Sequence, residues 1–152
     1  FNLSNGKLIA PIQIGTPVQE MNLVLDIGSM RTWVSDKYFK KESSSSYKEI
    51  GEKETKNQYD ITYYGVQSTE TFTLAQKELK EFKFLLVNSL QNLNASGVLS
   101  LGKEYDSKHK SLVYEMSHVC NTFYNMFLFK FGESDNKGDL LLDDTTEDKM
   151  EM

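Results

Sequence analysis

A chain of 152 residues, 39% of them apolar and 26% charged, has the size and makeup of one globular domain that can take roughly 70% of its unfolded surface out of water, so disorder is excluded as a description of the whole. A net charge of -5 and a pI near 5.1 exclude a nucleic-acid surface, because phosphate binding needs clustered Lys and Arg that acids do not outweigh; the densest basic patch, Lys37, Lys40 and Lys41, reads as a solvated turn. With Cys120 the single cysteine and no ligand partner for His109 or His118, an internal disulfide is excluded and neither a metal nor an organic cofactor is implied.

Leu8 to Gly15 and Val18 to Asp26 are two extended runs joined by Gly15-Thr16-Pro17, whose turn chemistry predicts a hairpin. Along the second run Met21, Leu23 and Leu25 alternate with Glu20, Asn22 and Val24, the period of a strand with one core-directed face. Asp26 arrives where the chain leaves that strand. Arg31 to Ser35 forms another short strand around Trp33, and Lys40 to Ser46, polar and without periodicity, reads as a surface loop. Tyr59 to Tyr63 alternates, Gly65 marks a turn and Ser68 to Leu74 returns, which predicts a second hairpin. Leu79 to Val87 and Gly97 to Leu101 add strands. Leu112, Val113, Met116 and Val119 recur at spacings of three and four, so 110–119 is predicted to be a short amphipathic helix. Phe123 to Phe131 and Gly138 to Asp143 close the chain as strands.

The pattern is mostly β with one or two short helices: a single domain over 1–144 and a loose acidic tail over 145–152, or the start of a connection to a further lobe. Phe84 to Val87 and Met126 to Phe129, the longest apolar runs, are far short of a membrane span. No leader pattern opens the chain, and sequons at Asn2-Leu3-Ser4 and Asn94-Ala95-Ser96 permit glycosylation in a secretory route.

Chemistry concentrates at Asp26. An Asp followed by Ile27, Gly28 and Ser29 at the end of an apolar strand has a use for each residue: Gly28 permits a tight backbone path, while backbone N–H groups and Ser29 hold the carboxylate in orientation. In isolation Asp-x-Gly-Ser is a common turn. Its flanks change that. Ile14-Gly15-Thr16-Pro17-Val18-Gln19-Glu20, Leu23-Val24-Leu25-Asp26-Ile27-Gly28-Ser29 and Thr32-Trp33-Val34 closely resemble, without a gap, the amino-terminal lobe of the pepsin-like aspartic peptidases. Ser43-Ser44-Ser45-Ser46-Tyr47, Ile61-Thr62-Tyr63, Gly97-Val98-Leu99, Ser111-Leu112-Val113-Tyr114 and Gly138-Asp139-Leu140-Leu141-Leu142 follow in the family's order, so the resemblance covers nearly the whole chain.

This resemblance implies a single lobe of the pepsin-like acid-protease β-barrel fold and an aspartic-type endopeptidase. In that family two carboxylates, one from each lobe, share a water; they cannot both ionise at such range, so one keeps a proton while the other acts as base. Asp26 would be one of them, with Ser29 orienting it. Trp33 and a flap tyrosine, either Tyr63 or Tyr64, would position the flap, and Gly65 would give it its turn. Substrate would be an extended peptide, and the compartment the secretory pathway, extracellular or a lysosomal or vacuolar lumen.

Several positions depart from the family pattern. Ile27 stands where a threonine normally links the two catalytic loops, Ser96 where an aspartate is common, and Ser100 where a glycine ends the strand beneath the loop, although Leu101-Gly102 follows at once. No second Asp-x-Gly occurs in the sequence, so the partner carboxylate is expected from a second lobe or a partner chain. The alternative is a catalytically inactive pepsin-like module with a binding or structural role.

Overall fold

The computed structural model describes residues 1–29, 31–58, 61–88, 95–102, 110–120, 126–132 and 136–143. His109, Asn94 and the tail from 144 onward lie outside them. The described elements are β1 (Asn2–Ser4), β2 (Lys7–Ile14), β3 (Gln19–Asp26), β4 (Trp33–Ser35), a 3-10 turn at Lys41–Ser43, β5 (Lys48–Gln58), β6 (Ile61–Leu74), β7 (Lys77–Asn88), β8 (Gly97–Ser100), α1 (Leu112–Cys120), β9 (Met126–Phe131) and β10 (Gly138–Asp143). Mostly β with one helix is the class that the alternating runs predict.

The expected hairpin forms between β2 and β3, in register from Ile9 opposite Val24 to Ile14 opposite Gln19. β3 then pairs in parallel with β8, β8 antiparallel with β4, β4 in parallel with β7, and β7 antiparallel with β6. A last pairing, Gln13 with Thr73 and Ile14 with Phe72, joins β6 back to β2. These six strands therefore close into a ring, which removes the open edges a flat sheet would present. β1 and β5 extend it on either side, and β9 and β10 form a separate two-stranded ribbon.

Alternation along the same strands sorts apolar side chains into two clusters. Leu23, Leu25, Val34, Phe84, Leu86 and Leu99 fill the larger one, together with Phe72, Phe82 and Phe39. Val24, Trp33, Leu85, Val87 and Val98 form a smaller one on the opposite face. Burying each such side chain contributes about 1.5–3 kcal/mol. Helix α1 starts where Ser111 Oγ accepts the Tyr114 N–H at 3.1 Å, a side-chain cap of the first turn. It buries Leu112 and Met116 but leaves Val119 44% exposed, so the apolar stripe is narrower than the spacing suggests.

The second hairpin requires a correction. Ile61 to Leu74 is one continuous strand, and Gly65 lies inside it, paired with Glu54 on one side and Val87 on the other. The hairpin partner is β5, and the connection between the two falls at 59–60, outside the described residues. Gly65 does not turn the chain. A Cβ there would meet Val87 Cγ1 at 2.9 Å and Leu85 Cβ at 3.3 Å, so glycine answers to close packing across the sheet. β5 itself, Lys48 to Gln58, carries Lys and Glu along most of its length and has no apolar period to betray it; a charged outer strand of this kind resists edge-to-edge pairing.

The serine-rich segment also does more than cover surface. Glu70 on β6 is fully buried, and its carboxylate accepts hydrogen bonds from Ser44 Oγ at 2.7 Å, from Ser46 Oγ and from the Thr71 N–H at 2.7 Å. Ser44 Oγ in turn accepts the Thr16 N–H at 3.0 Å, and the Ser45 N–H donates to Thr16 O at 2.9 Å. One buried acid thus ties the β2–β3 turn, the serine segment and β6 together. Replacing both Ser44 and Ser46 by Ala strands that acid without two of its donors and is expected to cost more stability than Glu70→Gln, each change lying in the range of about 1–3 kcal/mol per unsatisfied group. Urea midpoints of the two variants check this; an equal or reversed order contradicts the keystone role.

Candidate active site

Asp26 owes its place to the parallel pairing of β3 with β8. Leu25 lies opposite Leu99 and Asp26 opposite Ser100, and the Leu101 N–H donates to Asp26 O at 2.8 Å, so the backbone is held up to the last strand residue. There the chain turns through Ile27, Gly28 and Ser29. The Gly28 N–H donates to Asp26 Oδ1 at 2.8 Å, an Asx-type bond that fixes the carboxylate over its own turn.

Ser29 is buried, and its hydroxyl donates to Arg31 O at 3.1 Å. Its carbonyl accepts the hydroxyl of Ser100, while the Ser100 N–H donates to Thr32 Oγ1 at 3.0 Å and the Leu85 N–H to Thr32 O at 3.0 Å. Both arms of the turn are therefore stitched to β7 and β8. Ser100, a departure from the family pattern, uses its hydroxyl to donate across the loop to Ser29 O.

The close approach belongs to Gly102, where a Cβ would lie 2.2 Å from Ser29 O and 3.3 Å from Ile27 O. Ile27 itself is 67% exposed beside the carboxylate. In sequence Gly102 stands out only as a neighbour of Ser100, because backbone proximity between segments so far apart leaves no local signature.

Strand phase decides which predicted residues share a face. Asp26 alternates with Leu25 and is in phase with Val24, which packs with Trp33, Leu85, Val87 and Val98. Trp33 is 1% exposed in that cluster. Gly65 sits over Leu85 and Val87, hence on the same face. Of Tyr63 the structure describes the backbone alone, paired with Lys56 and in strand phase with Gly65. Tyr64 falls in the other phase, is 56% exposed and lines a cavity of about 410 Å³ with Phe39, Lys40, Val66 and Leu86. Asp26, Trp33 and Gly65 thus share a strand phase, and Tyr64 falls in the other, although Gly65 and Tyr64 both line the cavity.

The rim of that cavity carries a solvent-exposed pair. Its hydrogen bond to Lys41, at 2.6 Å, holds the Glu49 carboxyl below the usual range, and the same bond raises Lys41. Nearby, burial pushes the Tyr47 phenol up. A lowered carboxyl stabilises the fold above its unfolded value and loses that contribution as pH falls through its folded one, so acid weakens this rim contact.

The family model described as eukaryotic aspartyl protease matches residues 7–142. A comparison with curated proteins finds no match.

Because a methyl at position 102 would overlap the Ser29 carbonyl and crowd that of Ile27, Gly102→Ala is expected to destabilise the fold by about 1–3 kcal/mol and to shift the Gly28 amide resonance. Chemical denaturation and amide NMR on the full chain check both. An unchanged Gly28 signal in a folded Gly102→Ala variant contradicts the contact.

Proposed function

The chain belongs to the eukaryotic aspartyl protease family, whose activity is of aspartic-protease type on peptide substrates, and from that membership we propose that it is one lobe of an endopeptidase in which Asp26 supplies one of two water-activating carboxylates. The observation that carries this reading is the delivery of Asp26 by a closed barrel: last residue of β3, its oxygen held by the Gly28 N–H at 2.8 Å, in phase with the Trp33 cluster. Six strands closed into one barrel, with one helix beside it, make a single pepsin-like lobe.

In the proposed chemistry a second carboxylate, from another lobe or a partner chain, faces Asp26 across a water. One of the two begins protonated. The other takes a proton from the water as the water oxygen attacks the scissile carbonyl carbon, while the protonated carboxyl gives its proton to the carbonyl oxygen, so a tetrahedral diol forms. The carboxyl that took the water's proton then passes it to the leaving nitrogen as the C–N bond breaks, and a diol hydroxyl returns a proton to the other carboxylate. Asp26 needs a fixed direction for this, and the bond to Gly28 N–H supports it. Ser29, donating to Arg31 O, acts on Asp26 through the turn it braces. The phase shared with Gly65 supports position 63 over 64 for the tyrosine beside Trp33.

A second reading draws on Ile27. A side chain 67% exposed next to the carboxylate offers apolar contact and no hydroxyl, which suits an inactive module that docks by this surface. The family is typically secreted or lysosomal, and we assign this member to the same route. Among the described residues no helix is long and apolar enough to cross a membrane.

Cleavage of a denatured protein at acid pH by the partnered protein is expected to fall by about 10²–10⁴-fold in Asp26→Asn, against wild type assayed in parallel. Activity that survives the change excludes Asp26 chemistry; no cleavage by the partnered wild type favours the docking module. The need for a partner is read separately. Exposed Ile27, Phe131 and Leu141 predict that light scattering at low micromolar concentration gives a mass above 17.5 kDa for the chain alone. A clean monomer counts against it.

A further inference from the structure

The turn that carries Asp26 is bound to a second element by a contact that the peptidase reading does not use. Arg31 Nη1 donates to Glu54 Oε2 on β5, and Gln67 Nε2 on β6 donates to the other oxygen of the same carboxylate. The Arg31 side chain is 17% exposed and that of Glu54 30%, so the pair is partly shielded from water, unlike the open ion pairs at the start of β5, Lys41 with Glu49 and Lys48 with Glu81. Those two lie before the register shift between Glu49 and Lys53; Arg31 grips the strand beyond it.

Both ends of this strut are firm. On one side Arg31 O accepts the Ser29 hydroxyl, and the next residue, Thr32, is bonded to Ser100 and Leu85. On the other side Glu54 pairs with Gly65, two residues before Gln67 on the face that holds Trp33, Leu85 and Val87. Among the described residues β5 is the last strand of the sheet and has only β6 beside it, so without a side-chain tie its far half depends on one ladder.

We propose that Arg31, Glu54 and Gln67 are positioning residues that latch the β5–β6 hairpin to the Asp26 turn, fixing the hairpin over the face where that carboxylate stands. The hairpin and the turn then move as one body, and the approach to Asp26 has a set height. The consequence for peptide access rests on the proposed function; the latch itself does not.

Hydrogen exchange of the full chain at neutral pH, followed by mass spectrometry, tests the latch without any assay of cleavage. In Glu54→Gln and in Arg31→Met, amides of 53–58 and 61–66 are expected to exchange about tenfold faster, with β3 and β8 unchanged. The charge-swapped double variant, Arg31→Glu with Glu54→Arg, is expected to regain most of the protection that either single variant loses. Hairpin amides unchanged in both single variants overturn the proposal. So does a uniform rise that includes β3 and β8, or a swapped pair no better protected than the single variants. Survival of cleavage in Asp26→Asn would remove the catalytic reading and leave this result standing.

Discussion

Everything at the Asp26 site follows from a short parallel pairing, β3 against β8, in which four residue pairs from Leu23 with Gly97 to Asp26 with Ser100 bring two distant segments into one ladder. A parallel pair cannot be made by a hairpin; it needs the intervening chain to leave and return, and here that chain builds β4 to β7. The ladder ends where the Leu101 N–H donates to Asp26 O, and the carboxylate at that end accepts the Gly28 N–H. The acid is thus held through its backbone and its side chain alike, by main-chain donors that tolerate much change in side chains.

A second consequence of the closed ring is that it gives every strand two environments. Inside, large apolar side chains such as Phe72, Phe84 and Leu99 exclude water. Outside, a smaller set around Trp33 makes a firm floor on which Asp26 and Gly65 stand in phase. Position along the chain therefore matters less than parity along the strand. Tyr64 and Gly65 differ by one residue and fall in opposite phases of β6, so a one-residue step in sequence becomes a definite separation in space.

Polar groups do the joining where apolar packing cannot. Glu70 gathers Ser44, Ser46 and the turn at Thr16 inside the molecule, and Glu54 gathers Arg31 and Gln67 nearer the surface. Glu54 takes donors from two other segments directly, whereas Glu70 takes those of the serine segment and reaches the turn at Thr16 through Ser44, so that in each case three pieces of chain hold a common position. The loops around the site are fixed by such convergence more than by their own conformational preferences.

The sequence by itself determined the elements that carry a local period or a local motif. The β2–β3 hairpin, strands β7, β8 and β10, helix α1 and the delivery of Asp26 at a strand end were legible because alternation, turn residues and apolar spacings of three and four are written within a few neighbouring residues. Charged β5 was not legible, since a strand that pairs on one side and meets water on the other needs no apolar face. Gly65 was misread as a turn because a glycine demanded by Val87 from another strand looks the same in sequence as one demanded by a turn. Gly102 against Ser29, Ser100 bonded across the loop, and Arg31 with Glu54 were decided only by the tertiary structure. Each is a contact between segments brought together by the barrel's closure, and no spacing within the chain encodes that distance.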